Sequence, residues 1–176
     1  MNAYETWLKN FENINLPRYH ELNDIPLYLD QILEYVNDKL SILFAFEKTI
    51  LTQGMINNYV KQKAMPAPIK KRYDKEQMAY IIVITILKQI MSIKHISRGA
   101  EAMVENYGVE KAYNLFIDYV QESMLFTLSE LYGEKKRYEQ DEKGVMAIPL
   151  KAATLAFAGK LLADYSFRNL VLKDDL

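Results

Sequence analysis

The residues best suited to bind a ligand lie in a stretch that begins at Thr52. If the chain is helical from there, side chains at 100° intervals fall on two unlike faces, and the apolar one belongs to a core. The other face carries amides and a cation but no carboxylate: Gln53, Asn57, Asn58 and Lys61. Amides of this kind bond to base edges in a DNA major groove, and cations bond to phosphates. The pattern therefore predicts contact with nucleic acid.

A short basic segment follows this predicted helix. Prolines at positions 66 and 68 remove backbone donors and disfavour the α conformation in the residues before them, so they are expected to end the helix. The segment after them is expected to form a loop, and we call residues 66–73 the wing. Together with Lys63, which precedes it, the candidate contact residues of this segment are Lys70, Lys71, Arg72 and Tyr73.

Local charge separates this region from an ordinary solvated surface, which can show the same polar helix face. Residues 57–75 hold six cations and one carboxylate, that of Asp74, although the whole chain has a net charge of −1. Binding to phosphates needs local positive charge rather than a basic protein overall. The asymmetry favours the nucleic-acid interpretation.

The composition excludes several other chemistries. The chain has 176 residues, 50% of them hydrophobic and 26% charged, which is typical of a globular protein. It has no cysteine, so disulfides, thiolate metal sites and cysteine nucleophiles are excluded. Its two histidines, His20 and His95, have no residues at ligand spacing around them, and no phosphate-binding or hydrolase motif occurs. We expect no enzyme activity, no metal and no cofactor.

Two further patterns bear on the class of protein. The N-terminus has no basic region followed by an apolar run, and the most apolar stretch, residues 78–91, is shorter than the ~20 residues that span a bilayer. We therefore expect a cytoplasmic protein with no membrane partner. The acid pairs Glu101/Glu105 and Asp118/Glu122 lack the histidines of a di-metal bundle and are interpreted as solvated helix faces.

Helices are predicted to position the candidate residues. An amphipathic helix over residues 1–15 carries Trp7, and a second helix is expected to begin at Asp24-Ile-Pro and to run to about residue 40. Residues 41–50 connect it to the helix that Thr52 caps. Asp74, with Gln77 three residues later, is expected to cap a central helix that is apolar nearly all round.

The C-terminal part is also predicted to be helical. Helices are expected over residues 92–107 and 109–131, ended by Gly108 and Gly133, and residues 134–144 are expected to form a mobile loop. The last helix is predicted from about Pro149 to Leu172. It carries a stripe of small residues that lets another helix approach closely, either within the chain or across a dimer: Ala152, Ala156, Gly159 and Ala163.

Four strings in residues 16–107 resemble the bacterial family called domain of unknown function 1836. They are Leu16-Pro-Arg-Tyr, Asp24-Ile-Pro-Leu-Tyr-Leu-Asp-Gln, Met55-Ile-Asn-Asn-Tyr-Val-Lys-Gln-Lys and Pro66-Ala-Pro-Ile-Lys-Lys-Arg-Tyr. More distantly, the region is similar to the MerR-type winged helix-turn-helix, and this resemblance implies a dimeric DNA-binding regulator. Residues 55–60 match its recognition helix, although Asn57 and Asn58 stand where MerR-type proteins usually have Arg and Tyr.

These patterns predict an all-α protein with an N-terminal helix (1–15), a MerR-like winged helix-turn-helix domain (16–107) and a C-terminal helical region for dimerisation or sensing (108–176). We expect a transcriptional regulator with a recognition helix at 52–63 and the wing at 66–73. Its expected partners are double-stranded DNA and a second copy of the chain, and a small-molecule effector is left open. The alternative is a protein-interaction or small-molecule-binding helical module that does not bind DNA.

Overall fold

The computed structural model describes residues 3–44, 47–134, 136–139, 144 and 146–174. The protein is mostly helical, with 67% helix, and this confirms the expected class. Over the described residues the helices are α1 (Ala3–Glu12), α2 (Leu29–Leu40), α3 (Gln53–Lys61), α4 (Lys75–Leu87), α5 (Ile93–Tyr107), α6 (Val109–Leu131) and α7 (Ala147–Asp174), and the strands are β1 (Leu27–Tyr28) and β2 (Arg72–Tyr73). None of the described helices is both long and apolar enough to cross a membrane.

The chain divides into two compact units. One contains residues 16–117, and the other combines residues 1–15 with residues 118–176. Helix α6 contributes residues to each of them. The predicted helix ends at Gly108 and Gly133 are confirmed, and both glycines have a positive φ, 74° and 72°. The division into three functional regions, residues 1–15, 16–107 and 108–176, stays a prediction.

The small sheet lies in the unit of residues 16–117 and displaces the start of the second helix. Strand β1 pairs antiparallel with β2, with Tyr28 opposite Arg72. The prediction of a helix from residue 24 is therefore wrong: α2 begins after Tyr28, whose N–H donates to the Gln31 side chain (2.9 Å). A local pattern could not show this, because the pairing strand lies about 45 residues further along the chain.

Asn37 on α2 fixes the chain that leads into α3. Its side-chain oxygen accepts hydrogen bonds from the N–H groups of Ile50 (2.8 Å) and Leu51 (3.1 Å), and its amide nitrogen donates to the Leu51 carbonyl (3.0 Å). The side chains of Ile50 and Leu51 are themselves buried. One asparagine thus ties the start of α3 to the body of α2.

Helix α4 is buried in this unit, as its all-round apolar sequence predicted. Nine of its 13 residues are buried. The predicted cap is confirmed, because the Asp74 carboxylate accepts from the Gln77 N–H (3.0 Å) and the Gln77 side-chain oxygen accepts from the Asp74 N–H (2.8 Å). Gln77 also donates to the Ala67 carbonyl (2.6 Å), which ties the beginning of the wing to α4.

The first turns of α6 hold the segment that follows residue 16. The Tyr113 hydroxyl donates to the Pro17 carbonyl (2.9 Å), and the Asn114 side-chain oxygen accepts from the Tyr19 N–H (2.9 Å). The Arg18 guanidinium donates to the Asn114 carbonyl (3.2 Å). Burial raises the pKa of Tyr113, so its hydroxyl stays protonated and remains a donor. The Leu-Pro-Arg-Tyr string is therefore positioned by residues almost a hundred positions later.

In the unit of residues 1–15 and 118–176, an aromatic stack and buried polar contacts connect the helices. The Trp7 ring of α1 stacks on Tyr165 of α7, with ring centres 3.7 Å apart and planes inclined by 7°. The hydroxyls of Ser123 on α6 and Thr154 on α7 lie 2.7 Å apart, and both residues are fully buried. Because each hydroxyl has a partner, this polar contact can lie inside the unit without an unmade hydrogen bond.

Part of the segment predicted to be a mobile loop is packed. The Tyr138 hydroxyl lies 2.9 Å from that of Ser123, and the Lys151 ammonium lies 3.9 Å from the centre of the Tyr138 ring. Glu122, which we interpreted as solvated, is buried and accepts a hydrogen bond from the Glu139 N–H (3.0 Å), so that interpretation is wrong. Residues 135 and 140–143 of the predicted loop lie outside the described residues.

Candidate nucleic-acid interface

Helix α3 begins after Thr52, and its apolar and polar sides are those that the sequence predicted. The Thr52 hydroxyl accepts a hydrogen bond from the Met55 N–H (3.3 Å), and Ile56 and Tyr59 are buried on the inner side. The polar side chains predicted for the other face are all exposed: Gln53, Asn57, Asn58 and Lys61. The helix therefore presents amides and a cation to solvent while apolar side chains anchor it.

The two asparagines on this face differ in their freedom to bind. The Gln62 amide donates to the side-chain oxygen of Asn58 (3.0 Å). The side chain of Asn57 makes no hydrogen bond to any residue that the structure describes. An unengaged amide can offer its donor and its acceptor together to the edge of an adenine. Asn57 is accordingly the stronger candidate for a base contact.

Helix α3 ends through a left-handed residue. Lys63 has a φ of 54°, its N–H donates to the Val60 carbonyl (3.0 Å), and the Ala64 N–H donates to the Tyr59 carbonyl (2.9 Å). These two bonds form a Schellman motif, which usually has glycine at the left-handed position. The prediction that the prolines end the helix is wrong, because the helix has closed before the first proline is reached.

The tip of the wing is a β-hairpin with a two-residue turn. Ile69 and Arg72 exchange both backbone hydrogen bonds, at 3.0 and 2.9 Å. Lys70 and Lys71 between them have φ values of 49° and 62°. Two consecutive positive values are what a type I′ turn requires. The expected loop is thus a hairpin that carries two exposed lysines at its tip.

Arg72 contacts a residue that sequence reasoning missed. Its guanidinium donates to the Tyr28 hydroxyl (2.7 Å) and lies 4.7 Å from the centre of the Tyr28 ring. Tyr28 and Ile69 stand opposite Arg72 on its two sides, and they are 47% and 68% exposed. A stacked and hydrogen-bonded guanidinium keeps its charge but loses freedom to move. No local signal marks Tyr28, because the pairing joins distant residues.

Two residues of this region do not add to the exposed positive surface. Tyr73, predicted to contact DNA, is only 5% exposed and lies in the core, where burial raises the pKa of its hydroxyl. Lys75 forms an ion pair with Asp24, and its ammonium lies 5.6 Å from the centre of the Tyr19 ring. The lysines of residues 57–75 that make no ion pair with any described residue are Lys61, Lys63, Lys70 and Lys71.

Helix α5 adds cations beside the end of α3. The Ser97 hydroxyl donates to the Lys63 carbonyl (3.5 Å), which places the first turns of α5 next to that residue. The cations Lys94 and Arg98 in these turns are exposed. Neither was among the residues predicted from the sequence, although their position on the polar side of an amphipathic helix was the signal that could have identified them.

Behind α3, burial shifts the pKa of two neighbouring groups. The Lys88 ammonium lies 5.8 Å from the centre of the Tyr59 ring, and burial lowers the pKa of Lys88 while it raises the pKa of Tyr59. Both shifts favour the neutral form of the group. His20 and His95 are exposed, and no three His, Asp or Glu side chains among the described residues lie close enough to hold a metal ion.

The small-residue stripe of α7 lies at the surface. Ala152, Ala156 and Ala163 are exposed, and a Cβ built on Gly159 would meet no atom within 4 Å. The stripe therefore does not pack against another element in the part of the chain that the structure describes. Beyond its two ends are large exposed apolar side chains: Ile148, 80% exposed, and Phe167, 69% exposed.

A family model described as Domain of unknown function (DUF1836) matches residues 17–116, which is more than half of the chain. No curated protein and no solved structure matches the chain. The matched range ends after Tyr113 and Asn114, the two residues whose hydrogen bonds hold residues 17–19. The range thus includes residues 17–19 of the Leu-Pro-Arg-Tyr string and the side chains that position them.

Proposed function

We propose that this chain, which belongs to the Domain of unknown function (DUF1836) family, is a transcriptional regulator that binds double-stranded DNA. In the proposed complex, α3 lies in the major groove, where Gln53 and Asn57 contact base edges. The lysines around α3 and at the hairpin tip contact phosphates, and these contacts fix the position of the helix in the groove.

One observation carries this proposal: four lysines without ion pairs surround an exposed amide face. Lys61 and Lys63 lie at the end of α3, and Lys70 and Lys71 lie at the tip of the hairpin that follows. None of these four lysines has a carboxylate partner in the described structure, and residues 57–75 hold six cations against one carboxylate although the net charge of the chain is negative. Cations without carboxylate partners can bind the phosphates of DNA, and the amides beside them can form hydrogen bonds with the base edges in the groove.

The order of elements supports a MerR-like winged helix-turn-helix as the frame of this surface. A pair of helices, α2 and α3, is followed by the hairpin and then by α4 and α5. The connection between α2 and α3, residues 41–52, is longer than the 3–4 residues of a tight helix-turn-helix. The three hydrogen bonds of Asn37 to this connection offset its length, because they fix the start of α3.

The proposal is tested by measuring affinity for a labelled genomic duplex over roughly 50–200 mM salt. Replacing Lys61, Lys70 and Lys71 with Ala should lower the slope of log affinity against log salt by about 0.9 for each phosphate that the variant no longer neutralises. A matched triple variant, with Lys9, Lys39 and Lys111 replaced by Ala, removes the same charge elsewhere and should keep the wild-type slope. Equal slopes for the two triple variants would overturn the assigned surface.

We also propose that a second copy of the chain covers the α7 stripe. The apolar residues on this face follow at intervals of four, four, three, four and four: Ile148, Ala152, Ala156, Gly159, Ala163 and Phe167. The intervals read the same in both directions, so an antiparallel pair of α7 helices would set Ile148 beside Phe167 of the second copy and place small residues at the centre. Such self-complementarity is what a two-fold interface requires.

A protein partner at the wing is a second candidate function. The exposed apolar side chains of Ile25, Tyr28 and Ile69 favour it, because large apolar groups gain free energy when another surface covers them. Salt separates the two candidates, since binding through these residues would persist at high salt whereas binding to phosphates would not. Replacing Ile25 and Ile69 with Ser should leave affinity for DNA unchanged if the lysines bind DNA and these apolar residues do not.

A further inference from the structure

The residues other than glycine that have a positive φ in the described chain are all lysines. Lys63, Lys70 and Lys71 have φ values of 54°, 49° and 62°. The left-handed conformation brings the Cβ of an L-residue too close to the following carbonyl oxygen. Glycine has no Cβ, and asparagine tolerates the conformation through local hydrogen bonds. Lysine has neither advantage.

Glycine is used at two other helix ends of this protein. Gly108 follows α5 with a φ of 74°, and Gly133 follows α6 with a φ of 72°. Lys63 has its positive φ two residues after the last residue of α3, as Gly133 does after α6, and a Schellman motif favours glycine there. A type I′ turn likewise favours Asn-Gly at the positions of Lys70 and Lys71. Backbone preference therefore opposes lysine at all three positions.

The three positions also share an environment. Each side chain is exposed, and none forms an ion pair with a described residue, so no contact within the described structure accounts for the choice of lysine. Conformations that the backbone disfavours persist where a function requires the side chain. The function of these side chains must use a long flexible cation at a fixed point of the backbone, which is the property of a phosphate contact.

We propose that Lys63, Lys70 and Lys71 are phosphate-contacting residues retained against the preference of their own backbone, so that the free protein is less stable than it would be with glycine or asparagine there. The inference rests on the proposed function, and it adds a specific consequence to it. At these three positions, stability and affinity for a phosphate backbone must change in opposite directions.

The test combines Lys63→Gly with a separate double variant, Lys70→Asn with Lys71→Gly. The melting temperature of each free full-length protein is measured by circular dichroism, and affinity for a labelled duplex of mixed sequence is measured across salt. Each variant should melt about 2–4 °C above wild type. The salt slope should fall by about 0.9 for the first variant and by about 1.8 for the second.

Two controls separate charge from backbone. Lys63→Arg and the double variant Lys70→Arg with Lys71→Arg keep the charge and the disfavoured conformation, so the melting temperature and the salt slope should both stay at wild-type values. Lys61→Ala removes a charge from the last residue of α3, which lies before the residue with positive φ, so the slope should fall without a rise in melting temperature.

Each outcome decides between the two proposals. Glycine and asparagine variants that melt at or below the wild-type temperature would overturn the inference, because no stability would have been given up. Variants that melt higher but bind the duplex with the wild-type salt slope would also overturn it; binding of DNA by the protein would stand, but these three lysines would be removed from the proposed interface. A wild-type protein that binds no duplex at any salt would overturn the proposed function, and the role of the lysines with it.

Discussion

Two exposed helix faces of this protein, on α3 and on α7, are built from opposite kinds of side chain. The α3 face holds amides and lysines, whereas the α7 face holds alanines and a glycine between Ile148 and Phe167. Water solvates the first face well, but it leaves about 28 Å of apolar stripe on α7 without a favourable contact, at 1.5 Å per residue. The difference indicates two kinds of partner: a charged one whose binding weakens with salt, and an apolar one whose binding does not.

The largest effect is expected when the support of the α3 face is removed. Asn37→Ala leaves the N–H groups of Ile50 and Leu51 without an acceptor and the Leu51 carbonyl without a donor. We expect a decrease of about 2–4 kcal/mol in the free energy of unfolding, since an unsatisfied buried group costs about 1–3 kcal/mol. Urea denaturation measures this decrease.

The matched control is Asn106→Ala, which removes one hydrogen bond to a carbonyl within α5. It should change stability by no more than about 0.5 kcal/mol, as is usual at exposed sites. At a temperature where both variants are folded, only Asn37→Ala should lose affinity for DNA. Equal stabilities for the two would show that the connection into α3 is held in another way.

The next effect sharpens the meaning of the α3 face itself. Asn57→Ala should relax the preference for one base pair by about 1–3 kcal/mol, because a bidentate amide contact discriminates by that amount. Asn58→Ala should have the smaller effect, since Gln62 already bonds to its side-chain oxygen. Selection of bound sequences from a random pool measures both. If neither variant changes the selected sequence, α3 does not read bases, even if binding persists.

A smaller effect is expected on the α7 face, and its sign depends on the partner. In a monomer, the Cβ that Gly159→Leu adds has open space within 4 Å and the substitution improves helix propensity, so stability should rise by up to about 1 kcal/mol. In a dimer the added bulk separates the two helices and costs about 1–3 kcal/mol of association. Sedimentation together with thermal melting distinguishes these cases. Wild-type protein that sediments as a monomer at micromolar concentration would count against the dimer.

The smallest effect concerns the contact between Arg72 and Tyr28. Tyr28→Phe removes the hydroxyl that accepts the guanidinium bond and keeps the ring beneath it. DNA affinity should fall by about 0.5–1 kcal/mol, because the variant lacks one solvent-exposed hydrogen bond that positions Arg72. Tyr107→Phe on α5 is the matched control and should leave affinity unchanged. Tyr28→Leu, which removes the ring as well, should lower affinity further; equal affinity for all three would remove this pair from the interface.

The features that local sequence predicted are those that neighbouring residues determine. Thr52 and Asp74 cap their helices by bonds to residues three positions away, and Gly108 follows α5 with the positive φ that glycine favours. The polar face of α3 is also local, because helical periodicity alone separates Asn57 from Ile56. For these features, the residues that cause the structure stand side by side in the sequence.

The features that escaped prediction depend on distant partners or on an unusual local choice. Tyr28 is extended because it pairs with Arg72, and Glu122 is buried because the chain at Glu139 returns to it. Lys63 closes α3 in a conformation that its residue type disfavours, so propensity pointed to the prolines instead. Such contacts can be recognised only once the fold has brought their partners together.

The stack of Trp7 on Tyr165 also sets an order of events during synthesis. The unit of residues 16–117 is complete before residue 118 is made, whereas Trp7 must wait for a partner that emerges about 160 residues later. At about 5–20 residues per second, that interval is roughly 8–30 s. For this time Trp7 lacks its stack on Tyr165, so the unit that combines residues 1–15 with residues 118–176 can be completed only after residues 16–117 have been made.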